Sequence, residues 1–416
     1  MKIFARNFRG FEQVEIDLQR VNFLVGDNSC GKSSIIYLIE AVTASDLNDV
    51  PVLNDDFSID RYDYFSPYFD YGDVVFGFIA DGDDGFGKVI TVSRKPGFVP
   101  SVTKATFVSG SKSITLKKEE GVTYRRDDAV STLTCENLCK IHGLSDDFHE
   151  VDLPDEASIA QPTSVFMTSE KEDRKADQNF IRSALRNILP GSRITPPLRA
   201  LPEKYYSFRR KFSAHGGHFA SMWFDFIEFE EEDTLSLSLS KFGKESGLFD
   251  GIKVRKIAED IEDSPLIVTV TRDGKDLLLN QVGIGVSQVV PVLIETKFAL
   301  SSGAPHMLIQ QPELHLHPVA QAALGSYLHG CCVSGMRPVV ETHSSYLIDR
   351  FRSEIASQKS GDDANKAEYD SEIIFCERAR NGNVTTHIRI DEDGSLVDAP
   401  DSYHKFFVEE MMRTML

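Results

Sequence analysis

The period of apolar and polar positions changes twice along the chain. Residues 1–24 run in short extended stretches, MKIFARNF and FEQVEIDL, around a turn at Gly10, and residues 21–25 (VNFLV) form a continuous apolar run that predicts a short buried strand. Residues 34–44 then carry the spacing of an amphipathic helix. Residues 46–73 are acidic and aromatic without helical period, which predicts a loop-rich connection. Between 74 and 125, β-like runs (VVFGFIA, KVITVSR, ATFVSG, SITLKKE) alternate with Gly, Asp and Pro, as in an antiparallel meander. The period becomes helical over 130–150 and 168–190, where Phe180, Ile181, Leu185, Ile188 and Leu189 recur at i, i+3, i+4.

From Gly251 onward strands and helices alternate. LIVTVTRDGKDLLL predicts a hairpin turning at Asp273-Gly274, GVSQVVPVLIETKFAL a helix, HMLIQ a short buried strand and residues 318–333 a helix after Pro318. RPVVET reads as another strand, a helix starts at Ser344, and SEIIFCER and VTTHIRI pair through an Asn381-Gly382 turn. Such alternation implies a mostly parallel sheet, which the strand at 21–25 would join. There is no internal repeat and no run of heptads long enough for a coiled-coil arm. The expected class is α/β, divided as 1–128, 129–248 (a helical insertion) and 249–416.

Charge narrows the picture. The 416 residues are 41% hydrophobic, enough for two or three cored domains, but 45 Lys+Arg against 64 Asp+Glu give a net charge of −19. A nucleic acid would have to find a local basic patch. The one clearly basic zone is 171–211, with eleven Lys or Arg against four Asp or Glu; its bland reading is a solvated helix face paired with acids such as those at 228–233. The six cysteines show no paired CxxC spacing, which argues for reduced thiols, no zinc site and a cytoplasmic setting. The first residues lack an apolar leader and no uninterrupted run nears the ~18 residues of a membrane span, so no membrane association is expected.

Chemistry concentrates at VGDNSCGKSS. Gly26, Gly31, Lys32 and Ser33 hold the GxxxxGK[ST] spacing of a phosphate-binding loop between a predicted strand and a predicted helix. Asn28, Ser29 and Cys30 complete the loop and Ser34 follows it; backbone N–H groups converge on an anion, Lys32 neutralises phosphate oxygens and the Ser33 hydroxyl suits Mg²⁺. The hairpin ahead of the loop could present Asn7, Arg9 or Phe11 to a nucleotide, with Arg9 as the further contact expected; the bland reading of each is strand packing or solvation. Downstream, HMLIQ runs into QPELHLHP, where such proteins carry acids for the Mg²⁺ shell and the attacking water, and a later strand ends in ETHS, where His343 is placed to reach a γ-phosphate. Gly283, Gly285 and Ser287 open a helix suited to a phosphate, including one bound to another subunit.

In this order the pieces resemble the ABC-type ATPases of the SMC, RecF and OLD branch: Walker A in GDNSCGKS, the signature counterpart in VGIGVSQ, Walker B to D-loop in LIQQPELHLHP and the switch histidine in ETHS. The resemblance covers residues 1–45 and 275–400, and ITPPLRALPEKYY with HGGHF is similar to ATPase subunits of bacterial anti-phage systems, most nearly the PARIS type and less so the Septu type. It implies an ABC ATPase head, with a RecA-like α/β lobe, an antiparallel β lobe and a helical insertion. It also implies ATP and Mg²⁺ as cofactors, and a homodimer or higher homo-oligomer sandwiching ATP between heads. His317 falls at the D-loop position facing that seam, and Ser33 and Gln310 at the metal positions.

The sequence departs from the family at Gln310 and Gln311. Relatives carry Asp or Glu at the first and Glu or sometimes Gln at the second; an amide carbonyl still accepts a hydrogen bond but takes no proton. Gly283 replaces the usual signature serine. The expectation is an ATPase that binds well and turns over slowly, with Gln311, Glu313 and His343 as the catalytic-position residues. The family role expected is a sensor or scaffold subunit that holds a separate nuclease effector and answers a phage-encoded trigger. The residues after His343 are too few for a fused Toprim nuclease, so effector chemistry is expected in trans. The alternative is a RecF- or SMC-like repair or chromosome ATPase using 171–211 on nucleic acid.

Overall fold

In the computed structural model the described residues are 1–43, 72–80, 85–94, 100–118, 122–127, 133–144, 149–151, 193–197, 199–209, 217–229, 232–303, 306–359 and 370–407. The strands, in chain order, are β1 (Lys2–Phe8), β2 (Phe11–Asp17), β3 (Val21–Gly26), β4 (Val74–Ala80), β5 (Phe86–Arg94), β6 (Pro100–Ser109), β7 (Lys112–Lys118), β8 (Val122–Asp127) and β9 (His149–Val151), then β10 (Arg193–Thr195), β11 (Gly251–Lys256), β12 (Leu266–Arg272), β13 (Lys275–Leu278), β14 (His306–Gln310), β15 (Arg337–Glu341), β16 (Ser371–Ala379), β17 (Gly382–Ile390) and β18 (Leu396–Val397). The helices are α1 (Lys32–Thr43), α2 (Cys135–Gly143), α3 (Phe219–Phe229), α4 (Glu232–Ser246), α5 (Ile284–Ser301), α6 (Pro318–Val333) and α7 (Ser345–Lys359). Two compact units result, one comprising Met1–Gln19, Asp27–Gly191 and Cys376–Thr385, the other Arg20–Gly26, Ser192–Phe375 and Thr386–Leu416.

The first unit is built on an eight-stranded sheet in the order β2-β1-β4-β5-β6-β7-β8-β9, antiparallel at every pair, which is the expected meander closed by the N-terminal hairpin. Leu138 of α2 packs into a cluster with Phe4, Ile79, Val89 and Val108 on that sheet. The helix expected over 130–150 is shorter. Thr134 caps it by accepting the Asn137 N–H (3.1 Å), it ends at Gly143, and strand resumes at His149. The expected loop at 46–73 falls almost wholly outside the described residues and the expected helix at 168–190 entirely so.

The second unit holds a seven-stranded sheet, β10-β14-β15-β3-β16-β17-β18, in which β10, β14, β15 and β3 run parallel. All six residues of β3 are buried, as befits a central strand covered on both faces, and Phe23 meets Phe351 of α7 edge-on at 5.0 Å. A three-stranded antiparallel sheet, β11-β12-β13, turns at Asp273-Gly274 as expected. α5 is apolar and long enough to cross a membrane by length and composition (18 residues, mean hydropathy 1.3), yet 67% of it is buried among the other elements of its unit. A parallel α/β lobe and an antiparallel β lobe are both present, as the resemblance to an ABC ATPase head implies.

Candidate functional site

The phosphate loop begins where β3 ends. Gly26 is buried, Asp27, Asn28 and Ser29 are exposed, and Ser29 takes a left-handed conformation (φ 63°). Gly31, at φ 101°, is where side chains are excluded: a Cβ would lie 2.5 Å from the Phe11 ring and 2.8 Å from the Asn383 amide nitrogen. α1 starts at Lys32, two residues before the apolar pattern shows a helix, so Lys32, Ser33 and Ser34 form its first turn, where the helix dipole favours an anion. The Lys32 ammonium is buried and turned back on its own loop, donating to the Asp27 carbonyl oxygen at 2.6 Å, with Cys30 Sγ at 3.8 Å.

Cys30 is buried rather than accessible. A hydrogen bond with Cys376 and the Lys32 charge outweigh burial and bring its thiol down to about 7. Arg9, itself at φ 52°, lays its guanidinium 4.5 Å from the ring centroid of Tyr37, on the helix that follows the loop.

In the other unit three strand ends are aligned. Gln310 of β14 stands opposite Glu341 of β15, and Glu341 opposite Leu24 of β3, two residues before Gly26. The carboxyl ends of parallel strands are where ligands bind in such sheets. Gln310 is buried; Gln311, half-buried, is forced to φ 43°, with its N–H donating to the Glu341 carbonyl oxygen (2.8 Å). The turn continues with Leu314 N–H on Gln311 O and Leu316 N–H on Glu313 O. It delivers the Glu313 carboxylate to the His343 backbone N–H at 2.7 Å, while Glu313 Oε2 is buried without a partner. Burial pushes the Glu313 carboxyl up, against the His343 N–H, the Thr342 hydroxyl and the Arg199 charge, which pull it back.

The signature counterpart starts α5 with Gly283 as its N-cap and exposed Ile284 next to it. Gly285 is pressed against the following segment: a Cβ there would come within 2.6 Å of the His315 carbonyl oxygen. Ser287 is buried and its hydroxyl donates to Ile284 O (2.9 Å), and the Val286 N–H turns back to Gly283 O (3.0 Å). His317 is exposed and caps α6, accepting the Ala320 N–H at 3.4 Å.

Three residues of this region went unnoticed in the sequence. Arg199, in the basic zone, is buried and donates through Nη2 to the carbonyl oxygens of Gln310 and Gln311, each at 3.2 Å. Glu295 of α5 and Glu341 are buried carboxylates beside it and beside Gln310 respectively. Arg209, from the same zone, pairs with Glu262 (3.5 Å) and Asp263 (3.1 Å). The part of the zone from 171 to 192 lies outside the described residues. As to metal, no group of three or more His, Cys, Asp or Glu that could hold an ion occurs among the described residues. The Ser33 hydroxyl, in the first turn of α1, is a hard oxygen donor of the kind Mg²⁺ prefers.

Residues 1–189 match the family model described as "AAA ATPase domain", and residues 156–349 match the one described as "AAA domain, putative AbiEii toxin, Type IV TA system". No curated protein matches the chain. Similar solved structures include an SmcHead bound to the C-winged helix domain of ScpA, at 12% identity over 94% of this chain and 98% of that one (TM-score 0.49). Others are the SMC head domain from Thermotoga maritima, at 12% identity over 93% and 97% (TM-score 0.39), and an Smc head domain with an extended coiled coil bound to the C-terminal domain of ScpA derived from Pyrococcus furiosus, at 12% over 99% and 98% (TM-score 0.43). The two matched stretches overlap and together run from residue 1 to residue 349; both are similar to AAA ATPase domains, in keeping with the phosphate loop.

Proposed function

We propose that this chain is an ATP-binding head that works by assembly more than by turnover. In this reading two copies hold ATP and Mg²⁺ between them, hydrolyse it slowly, and serve as the sensor and scaffold of a cytoplasmic anti-phage system. The complex retains a separate nuclease effector until a phage-encoded trigger arrives. The observation that carries slow turnover is the amide pair Gln310 and Gln311 at the end of β14, since an amide takes no proton from an attacking water. Lys32 would bind phosphate oxygens once it leaves the Asp27 carbonyl, and the Ser33 hydroxyl and the Gln310 carbonyl would be the residues to hold the ion. Mg²⁺ supplies charge neutralisation on the phosphates. Glu313 orients water in place of Gln311, His343 answers the γ-phosphate, and the N–H groups at Gly283 and Gly285 serve the nucleotide of the other copy.

Exposed apolar side chains at the starts of α5 and α6, Ile284 and Val319, support a face for a second copy. The type IV toxin–antitoxin wording of the second matched family supports the defence setting. The three-part division at 128 and 248 is read as head, insertion and head. Direct nucleic-acid binding through 171–211 is the second reading. It loses support from the burial of Arg199 and the pairing of Arg209 with acids.

The test is turnover and assembly of the parent beside Gln310→Glu and Gln311→Glu. The parent should form an ATP-dependent dimer with slow hydrolysis, and the acid variants should gain about 10² to 10⁴ in rate. Fast hydrolysis by the parent sinks the slow-turnover reading; salt-sensitive duplex binding without an effector in pull-downs would favour the second.

A further inference from the structure

Arg199, in the segment around residues 193–200, has no role at the candidate site in the reading just given. We infer that Arg199 is a positioning residue that fixes the strained turn at Gln311, and with it the Glu313 carboxylate, and ties both to α5. The inference deepens the proposed function, because it rests on Glu313 as the group that orients water.

A residue at φ 43° that is not glycine persists only where its surroundings over-determine it. Gln311 is held on both sides. Its N–H donates to Glu341 O, and its carbonyl oxygen accepts from Leu314 N–H (3.2 Å) and from Arg199 Nη2 (3.2 Å). The same Nη2 reaches Gln310 O, so one guanidinium nitrogen bridges the last strand residue and the first turn residue. Arg199 is 5% exposed, and its Nε and Nη1 are buried without partners. A cation is seldom placed in such a site for packing alone. The carboxylates of Glu295 and Glu313 sustain its charge, against a burial that brings it down to about 10.

The other end of the segment is fastened to α5. Thr195 Oγ1 donates to Glu295 Oε2 at 2.9 Å, both groups being buried, and Gln288 Nε2 donates to Ala200 O at 3.5 Å. Gln288 and Glu295 are seven residues apart and so share one face of the helix. β10 runs in register with β14 through Arg193–Met307, Ile194–Leu308 and Thr195–Ile309. Thr195 and Ala200 are thus tied to the signature-bearing helix, and Arg199 ties the same stretch to the turn that carries Glu313. A lysine would keep the charge but, as a point cation on a flexible stem, lacks the planar group that fixes the direction of the Nη2–H bonds to the two carbonyls.

The experiment uses the full chain with Arg199→Met and Arg199→Lys. It measures ATP affinity, single-turnover hydrolysis, and amide exchange of Gln311, Leu314 and His343. For Arg199→Met the expected result is ATP affinity within about twofold of the parent, a single-turnover rate lower by about 10- to 100-fold, and exchange at the three amides faster by about tenfold or more. Exchange in β11 and β12 should be unchanged, and Arg199→Lys should fall between the two. Parent-like exchange at the three amides, a uniform rise through the whole chain, or a loss of ATP affinity as large as the loss of rate would each overturn the inference. If Arg199→Met does not fold, the same readouts on Arg199→Lys decide. Failure of the parent to bind ATP would overturn the proposed function, and the exchange arm would still decide the role of Arg199.

Discussion

The phosphate loop and the turn after β14 are built alike and finished differently. Each follows a buried parallel strand, each contains a left-handed residue other than glycine (Ser29, φ 63°; Gln311, φ 43°), and each buries one cation. In the loop that cation is Lys32, whose ammonium rests on the Asp27 carbonyl oxygen of its own loop. In the turn it is Arg199, held from a distant segment by two carbonyls, with two nitrogens left over. A lysine on a four-carbon stem exchanges a carbonyl for a phosphate by rotating bonds, at little cost to the backbone. A planar guanidinium that locks a strained turn has no such freedom. The loop is a device for exchanging partners, and the turn is a frame.

The largest effect that tests this contrast is Lys32→Ala. Removing a cation that meets phosphate oxygens in a buried setting should weaken ATP binding by about 100-fold or more, with chain stability little changed because the Asp27 carbonyl is near solvent. Titration with a fluorescent ATP analogue reads it, and affinity within threefold of the parent would break the contrast on the loop side. Gly31→Ala should do the reverse, lowering stability by about 1–3 kcal/mol. The new Cβ collides with Phe11 and Asn383 at a left-handed position that only glycine occupies easily. A denaturant midpoint equal to the parent's would show that the loop backbone yields and is not preformed.

Legibility in the sequence follows the same division. The loop could be found because all its parts are consecutive, from the apolar run through Gly31 and Lys32 to the helix. Only the start of α1 was misplaced, since Lys32 and Ser33 are polar and an apolar period does not register them. The alternation after Gly251 gave the strands and helices because each obeys its own local period. Arg199 was invisible for the opposite reason. Its neighbours Gln310, Gln311 and Glu295 are about a hundred residues away, so nothing near it in the chain distinguishes it from the solvated basic residues around it. The inward turn of Ser287 and the capping by His317 were likewise set by helix geometry that residue type alone does not specify.

A third buried base, His142, sharpens the contrast with the smallest expected effect. It meets burial by giving up its charge. Its ring lies between the Thr91 hydroxyl (2.6 Å) and the Thr106 hydroxyl (2.8 Å), each able to donate or accept, so a neutral imidazole is fully satisfied. Burial, with a smaller contribution from Lys104, lowers its pKa to about 3. In the unfolded chain the ring titrates near its ordinary value, so between pH 6.5 and 3 the unfolded state binds a proton that the native state does not. Stability from this group is therefore complete above pH 6.5 and falls as the pH drops, by at most about 1.4 kcal/mol per unit. Urea unfolding at pH 7 and pH 5.5 should show the parent losing about 1 kcal/mol more than His142→Gln, in which the amide keeps a donor and an acceptor without the titration. Equal losses in the two proteins would mean that His142 carries its proton in the folded state. Charge rather than neutrality would then be the common solution in all three sites.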